Sequence, residues 1–345
     1  MPLLSRAWVY QERRLSKRTI HFGKHQVYWE CQTCFASEDS REDKTWNKHV
    51  TDFDNAIFLG WGDNCVDHKT YWHKTVMEYT MLQLTFESDR LPAIAAVVDR
   101  MSRLQRVDDV YIAGLWKNSI LSDLLWSIDV TVYVPRPARM APSWSWVSAQ
   151  NSAILWRDFE FTKETKVLNL EYSVVGAANL GEVTNASIIL MVPVLNLTAF
   201  DELNFANIDD GGWETRFESI SESIPVREQF RQNNLEIFDT HFCPDYDLTT
   251  ANPPTKCGCT IKLLVARDHS KRIGGIVVQQ TSDGPEYKRI GFLHVWLKQA
   301  KPKMAEKKDK DSVNSEHDGS EDDEEIEEGI DNLTLSLPME EVKIV

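Results

Sequence analysis

The chain has 345 residues, of which 42% are hydrophobic and 12 are tryptophan, and its formal net charge is −15. This composition is that of a globular protein long enough for two units, and no basic stripe indicates a nucleic-acid partner. Residues 301–345 carry 15 Asp and Glu against 6 Lys, a net charge of −9, which leaves −6 for residues 1–300.

The sequence predicts an intracellular, cytoplasmic protein. Residues 1–8 lack the charged and apolar regions of a signal peptide. The longest apolar runs, such as 188–195, are too short to span a membrane. Six cysteines in a chain of this length are not a disulfide framework, which favours a reducing compartment.

The first segment, residues 1–40, predicts a helix followed by a β-hairpin. Ser5 can cap the helix, and the alternating runs "RTIHFG" and "QVYWEC" flank a turn at 23–25. Ile20 and Phe22 share one face of the first strand. Residues 41–70 are polar and predict a surface loop.

Residues 71–150 predict a helical segment. Apolar residues recur at helical spacing in "YWHKTVMEYTMLQL", "SDRLPAIAAVVDRMSRL" and "YIAGLWKNSILSDLLW". The third stretch places four apolar residues on one stripe: Ile112, Trp116, Ile120 and Leu124. Prolines at 135, 137 and 142 then exclude a helix.

Residues 151–299 predict a β-rich region, and residues 300–345 a disordered acidic tail. Five β-branched runs begin near residues 166, 187, 259, 273 and 287. The stretch 200–256 is expected to be mostly loop. The tail lacks an apolar face over 300–329 and is rich in Lys, Glu, Asp and Ser.

The stretch "SRAWVYQERRLSKRTIHFGKHQVYWEC" resembles the closing block of the fungal heterokaryon incompatibility (HET) domain. The order of "LTFESDRLPAIAAV", "YIAGLW" and "APSWSWVSA", and the ending "YKRIGFLHV", also fit, so that the similarity runs with gaps over about residues 3–298. The residues that match the motif are Ser5, Arg6, Trp8, Gln11, Glu12, Leu15, Ser16, Arg18, His21, Phe22, Trp29, Glu30 and Cys31.

The resemblance implies a particular fold class, α+β, with a partial HET, TIR-like helix–hairpin. A HET domain resembles the TIR fold, a parallel sheet flanked by helices. Two earlier family blocks, with Trp-Gly and Asp-x-x-Cys strands, do not occur upstream of Ser5. Residues 1–34 are therefore expected either to pack on the 70–150 helices or to be poorly fixed. A truncated gene model, a decaying paralogue and a short protein that docks onto a full-length partner all fit this pattern.

Arg6 and Glu12 are the candidate catalytic residues. TIR-like domains that cleave NAD use a glutamate, so the resemblance allows Arg6, Gln11 and Glu12 to line a pocket. The alternative is a helix in which Arg6 and Glu12 form structural ion pairs, and we favour it because the walls of a nucleotide cleft would be missing.

Other constellations have simpler structural interpretations. Cys31, Cys34, Cys65 and His68 have zinc-ligand spacing, but buried or loop thiols are favoured, and no metal is predicted. The pair Gly274-Gly275 predicts a turn or bulge. The tryptophans at 116, 126, 144 and 146 are expected in cores rather than in a binding groove.

Two features of the tail suggest regulation. Ser320 precedes three acidic residues, as in an acidic-kinase target. Five apolar residues have the spacing of a leucine-rich export signal or a partner-binding strand: Ile326, Ile330, Leu333, Leu335 and Leu337. The alternative is that the tail is a solvated acidic extension.

The resemblance implies that the chain is an interaction or regulatory protein of fungal non-self recognition, a process that leads to programmed cell death. It also allows that the chain is an inactive truncated paralogue. Protein partners are expected, other HET proteins among them, without nucleic acid or cofactor. The alternative is that the chain is a TIR-like NAD glycohydrolase once the missing N-terminal blocks are supplied. Only this alternative implies NAD binding. Enzyme activity is left open, and none is expected in this form.

Overall fold

The computed structural model describes residues 2–31, 34–40, 44–45, 68–104, 108–129, 136, 141–149, 153–174, 183–197, 224–246, 248, 260–268, 272–300 and 319–345. The chain divides into two compact units that interleave along the sequence. The first comprises Met1–Asp123, Pro137–Leu155 and Tyr172–Asn185. The second comprises Leu124–Arg136, Trp156–Glu171 and Ala186–Val345. This interleaving differs from the consecutive segments expected from composition, because a composition shift does not show which distant segments pair.

The first unit begins with the expected helix and hairpin. Helix α1 spans Ala7–Leu15, and strands β1 and β2 span Arg18–Phe22 and Val27–Cys31. Phe22 pairs with Val27 across the turn, as the alternation predicts. Strands β3, Cys34–Ser37, and β4, Lys44–Thr45, extend the sheet in the order β1-β2-β3-β4, and all three pairings are antiparallel.

Two of the three predicted helices are present in the first unit, and the third is wrong. Helices α2 and α3 span His68–Thr80 and Ala95–Leu104. In place of the third helix, β5 (Tyr111–Ile112) and β6 (Leu115–Trp116) form a hairpin, followed by the short helix α4, Ile120–Asp123, and β7, Trp126–Asp129. The turn residues Ala113 and Gly114 have φ of 47° and 97°, a conformation that interrupts a helix.

An aromatic core holds the first unit together. Trp72, Trp116 and Trp146 are fully buried, and the ring centroids of Trp72 and Trp116 are 6.1 Å apart in an edge-to-face arrangement. The Nε1 groups of Trp72 and Trp146 both donate to the carbonyl oxygen of Gly114, at 3.0 and 2.7 Å. The prediction that Trp116, Trp126, Trp144 and Trp146 are core residues is confirmed, since each is 0% exposed.

The second unit contains most of an eight-stranded sheet. Its strands in path order are β10 (Lys166–Val174), β11 (Val183–Leu197), β16 (Met339–Ile344), β15 (Tyr287–Gln299), β14 (Arg272–Gln280), β13 (Ile261–Arg267) and β9 (Glu160–Phe161), with β12 (Leu235–Pro244) paired to β15. A further strand, β8, spans Ala153–Trp156. The β-rich prediction is confirmed for the described residues of 151–299, and each of the five predicted runs forms a strand.

One face of this sheet carries an aliphatic core. Leu293, Val295 and Leu297 alternate along β15 and share one buried cluster with Phe242 of β12. Phe230 of helix α5, Ile224–Gln232, joins the same cluster. Residues 224–244 therefore form a helix and a strand rather than the expected loop.

The acidic tail is ordered where the structure describes it, so the prediction of disorder is wrong for residues 319–345. Helix α6 spans Gly319–Ser336 and leads into β16. Its buried residues Ile326, Ile330 and Leu333 belong to the aliphatic cluster, as does Leu337 just after the helix, whereas Leu335 is 72% exposed. Acidic residues lie between these apolar positions, so the composition of the segment predicts disorder although the apolar residues recur at helical spacing. The stretch 301–318 lies outside the described residues.

Glycines 274 and 275 lie inside β14 and do not form a turn. Gly275 has φ of 148°, and a Cβ there would lie 1.9 Å from the Leu264 carbonyl oxygen. The nearby irregularity of the strand falls at Val277 and Val278. These glycines permit close approach of strands.

Candidate functional site

The HET-like motif fixes helix α1 against the helices of the first unit. Trp8 Nε1 donates to Asp89 at 3.0 Å, and the Gln11 side chain accepts from the backbone N–H of Ala96 at 3.2 Å, at the start of α3. Of the two outcomes expected for residues 1–34, the described residues 2–31 follow the first, packing on the helices of the 70–150 segment.

A second set of contacts joins α1 to α2. Tyr10 donates to Glu78 at 3.1 Å, and Arg14 forms an ion pair with the same carboxylate at 2.7 Å. Arg14 Nε also donates to the Tyr10 hydroxyl oxygen. Burial raises the pKa of Tyr10, with smaller opposing contributions from Arg14, so the phenol is neutral and serves as a hydrogen-bonding anchor.

The hairpin is tied to α1 through Glu30. Arg13 donates to both carboxylate oxygens, at 2.6 to 3.0 Å, and His21 Nε2 lies 2.6 Å from Oε2. Burial alone raises the pKa of Glu30, but hydrogen bonds from Arg13 and His21 outweigh it, so the net pKa lies below its usual value. Ser16 ends α1 by donating to the carbonyl oxygen of Glu12. Trp8, Gln11, Ser16, His21 and Glu30 of the motif therefore make structural contacts.

A groove of about 660 Å³ runs beside strand β1. The "β1 groove" is lined by Leu3, Leu4, Val9, Glu12, Arg13 and Ser16 on one side and by Thr19 to Lys24 on the other. Consecutive residues of a strand point to opposite faces, so a lining that includes each of Thr19, Ile20, His21 and Phe22 follows the edge of the strand.

The groove presents exposed apolar and basic groups. Ile20 is 53% exposed and Phe22 is 82% exposed, so the face of β1 that these two residues share is open to solvent. Lys17, Arg18 and Lys24 are also exposed around the strand. Strand β1 occupies an end of the sheet formed by the described strands of residues 18–45.

The two candidate catalytic residues are not brought together. Glu12 lies on the wall of the groove and is exposed. Arg6 is the exposed residue that precedes α1, and its backbone bridges to Gln83. Six residues of helix separate their Cα atoms by roughly 9 Å. The favoured alternative, in which Arg6 and Glu12 form structural ion pairs, is not observed within the described residues, where neither side chain takes part in an ion pair.

Three of the four residues with zinc-ligand spacing lie in the described part of the chain: Cys31, Cys34 and His68. Cys31 and Cys34 place their sulfur atoms 3.6 Å apart, and both are half-buried. Cys65, Cys257 and Cys259 lie outside the described residues. His68 packs edge-to-face on Trp116, with centroids 4.7 Å apart. Ser320 lies in the first turn of α6.

Comparison with known proteins adds no assignment to this geometry. No protein-family profile, curated protein or solved structure matches the chain. Within the described residues, no helix is both long and apolar enough to cross a membrane.

Proposed function

We propose that the chain is an interaction protein of the HET class, acting in fungal non-self recognition and programmed cell death through the β1 groove. The observation that carries this proposal is that β1 is an edge strand among the described strands and that its apolar side chains, Ile20 and Phe22, are exposed beside a groove. In this proposal, the HET-like motif holds helix α1 and the β1–β2 hairpin in position, and the groove between them binds another protein.

The occupant is an extended protein segment that pairs with β1. An edge strand presents unpaired backbone N–H and C=O groups, which is the geometry used for strand addition. The groove follows that edge, with α1 as its second wall. A paired segment would cover Phe22, whose exposure is otherwise costly for an aromatic side chain.

The charge around β1 favours an acidic partner. Residues 12–25 contain five Lys and Arg and one acidic residue, Glu12, although the whole chain is acidic. Arg13 and Arg14 are neutralised by Glu30 and Glu78, which leaves the exposed Lys17, Arg18 and Lys24 as the cations around the edge. A segment that alternates apolar and acidic residues matches both properties.

Peptide binding tests the groove directly. A fluorescent peptide of alternating valine and glutamate is expected to bind the purified chain, and a valine–lysine peptide is expected not to bind. Phe22→Asp should weaken binding at least about tenfold, since it removes an apolar anchor and adds a like charge. Phe238→Asp, at a 70% exposed phenylalanine of the second unit, is the matched control. Equal affinity of both variants would exclude the groove.

The cellular role is tested by coexpression with a death-inducing HET-domain protein in a filamentous fungus. Wild-type chain should change the fraction of dye-permeable fusion cells, Phe22→Asp should abolish the change, and Phe238→Asp should retain it. No effect of the wild-type chain on cell death would contradict the HET-class function, whatever the peptide result.

NAD cleavage is a second candidate function, because Glu12 lies on a groove of a size that suits a nucleotide. Incubation with NAD, followed by measurement of nicotinamide release, tests it. Release that Glu12→Gln abolishes would support cleavage. The absence of release would leave the interaction function as the sole proposal.

A further inference from the structure

Three side chains of the second unit bring metal-binding atoms together. His241, Cys243 and His294 each offer one nitrogen or sulfur atom, and these atoms all lie within 4.8 Å of one another. This "His-Cys cluster" lies on the face of the sheet opposite the aliphatic core. It is independent of the β1 groove, which belongs to the first unit.

The pairing of β12 with β15 creates the cluster. His241 and His294 are directly opposite each other in the antiparallel register, and Cys243 lies two residues beyond His241, so it points to the same face. The two imidazole rings are nearly parallel, with centroids 6.0 Å apart and an interplanar angle of 26°. Backbone hydrogen bonds of two long strands therefore preposition all three donors.

His294 is buried without a hydrogen-bond partner. It is 1% exposed, and neither Nδ1 nor Nε2 has a partner in the described part of the chain. Phe159, Phe292 and Trp296 surround the ring, with centroids 4.8 to 5.9 Å from it. Leaving a buried polar group unsatisfied is unfavourable, so a ligand for one of these nitrogens would remove that penalty.

We propose that His241, Cys243 and His294 bind Zn²⁺. Cys243 Sγ and His241 Nδ1 are 3.5 Å apart, whereas zinc–sulfur and zinc–nitrogen bonds of about 2.3 and 2.0 Å at a tetrahedral angle place such atoms roughly 3.5 Å apart. The Cys243 thiol loses its proton to solvent as the metal binds. Two imidazoles and a thiolate leave a fourth position for water or an external ligand.

The charges near the cluster set the strength of binding rather than its geometry. Arg157 and Arg272 carry positive charge close to His294. Arg272 is neutralised by Asp268 and stacks on Phe159 and Trp296, while Arg157 is exposed. The negative charge that Cys243 acquires offsets part of the remaining repulsion, and the softness of its sulfur favours zinc over calcium or magnesium.

Cobalt substitution tests the proposal on the full chain. Co²⁺ added to metal-free protein is expected to bind one ion at the cluster. It should give the intense visible bands of a four-coordinate site and a near-ultraviolet thiolate-to-cobalt band, and zinc should displace it. Cys243→Ser should remove the thiolate band, and His241→Ala should weaken binding on the order of 100-fold or more, since loss of a mere supporting hydrogen bond already costs 10–100-fold.

Matched variants separate this cluster from the other cysteines. The double variant Cys31→Ser/Cys34→Ser and the variant Cys257→Ser/Cys259→Ser should both retain the spectrum, as should His25→Ala at the hairpin turn. Circular dichroism checks that Cys243→Ser is folded. If folded Cys243→Ser and His241→Ala bind cobalt with the wild-type spectrum and affinity, the proposal is wrong. It is also wrong if the wild-type chain binds no cobalt or zinc.

Discussion

Gly114 combines two requirements that only glycine meets. Its φ of 97° is a conformation that other residues rarely adopt, and a Cβ would lie 2.7 Å from Trp146 Nε1. Its carbonyl oxygen also accepts both buried tryptophan N–H groups. Trp72 and Trp146 thus depend on the path of the backbone at this turn.

We predict that Gly114→Ala destabilises the chain by about 2–4 kcal/mol, because strain and the clash with Trp146 add. Urea unfolding, followed by tryptophan fluorescence, measures the change. Gly284→Ala is the matched control, since no atom lies within 4 Å of the position of its Cβ. Equal midpoints for both variants would show that the turn relaxes at little cost.

Glu30 makes the stability of the hairpin depend on pH. Its pKa is below its usual value in the folded chain, so the ionised form is stabilised by Arg13 and His21. The stabilisation is fully present above the unfolded pKa of about 4.3, and it is lost as the pH falls through the lower folded pKa.

Glu30→Gln should therefore cost on the order of 1 kcal/mol at pH 7 and progressively less below about pH 4. Thermal unfolding between pH 3 and 7 measures the difference between variant and wild type. Glu12→Gln removes an exposed carboxylate of the same unit and is expected to leave the profile unchanged. A constant difference across this range would contradict the linkage.

Helix α6 is amphipathic despite its acidic sequence. Leu333 is 1% exposed, and Leu335, two residues later, is 72% exposed. Three buried apolar residues of the helix, and Leu337 directly after it, attach this segment to the aliphatic cluster, so an export receptor could not reach them while the helix is packed.

The two leucines provide a matched pair of substitutions. We predict that Leu333→Ala destabilises the second unit by about 2–5 kcal/mol through loss of buried area and a cavity, whereas Leu335→Ala changes stability by less than about 0.5 kcal/mol. Limited proteolysis should cut α6 earlier in Leu333→Ala. Similar behaviour of both variants would show that α6 is not a packed element.

The sequence predicts elements whose periodicity is local and unbroken. The hairpin of β1 and β2, helices α2 and α3, and the five β-branched strands follow from alternation or helical spacing alone. The prediction of a helix is wrong over 111–129 because a positive-φ turn interrupts an otherwise helical pattern. The prediction of disorder is wrong at α6 because charged residues separate the few apolar residues of the helix, and those residues become buried only by packing on the sheet.

The candidate sites depended on contacts between distant segments. The sequence correctly predicts a helix for the motif residues of α1. The roles of Gln11 and Glu30 could not be predicted, because their partners are seen only in the structure. His241 and Cys243 are two residues apart, so a strand would place both on one face, and this spacing indicates a candidate metal site. The prediction of loop over 200–256 excluded that inference because it placed no strand there. Nothing near His294 indicated that β15 pairs with β12.

At the scale of the whole molecule, the two units use different cores. The first is built around edge-to-face tryptophans, and the second around aliphatic side chains and the buried ion pair of Arg289 and Asp245. Arg289 is 0% exposed; it donates to Asp245 at 2.9 Å and to the carbonyl oxygens of Leu124 and Trp126. Its guanidinium lies over the Trp126 ring, 3.5 Å from the centroid.

Removing Arg289 should leave a buried carboxylate with only the more distant Arg136, whose guanidinium is 3.8 Å from Asp245. We predict that Arg289→Met destabilises the second unit by about 3–5 kcal/mol, and that adding Asp245→Leu restores much of this loss, because burial penalises an uncompensated charge more than an apolar pair. Hydrogen exchange should localise the change to β12 and β15, while the tryptophan core of the first unit keeps its protection. If the single and double variants lost equal stability, the packing of Arg289 on Trp126, and not its charge pairing, would be its main contribution.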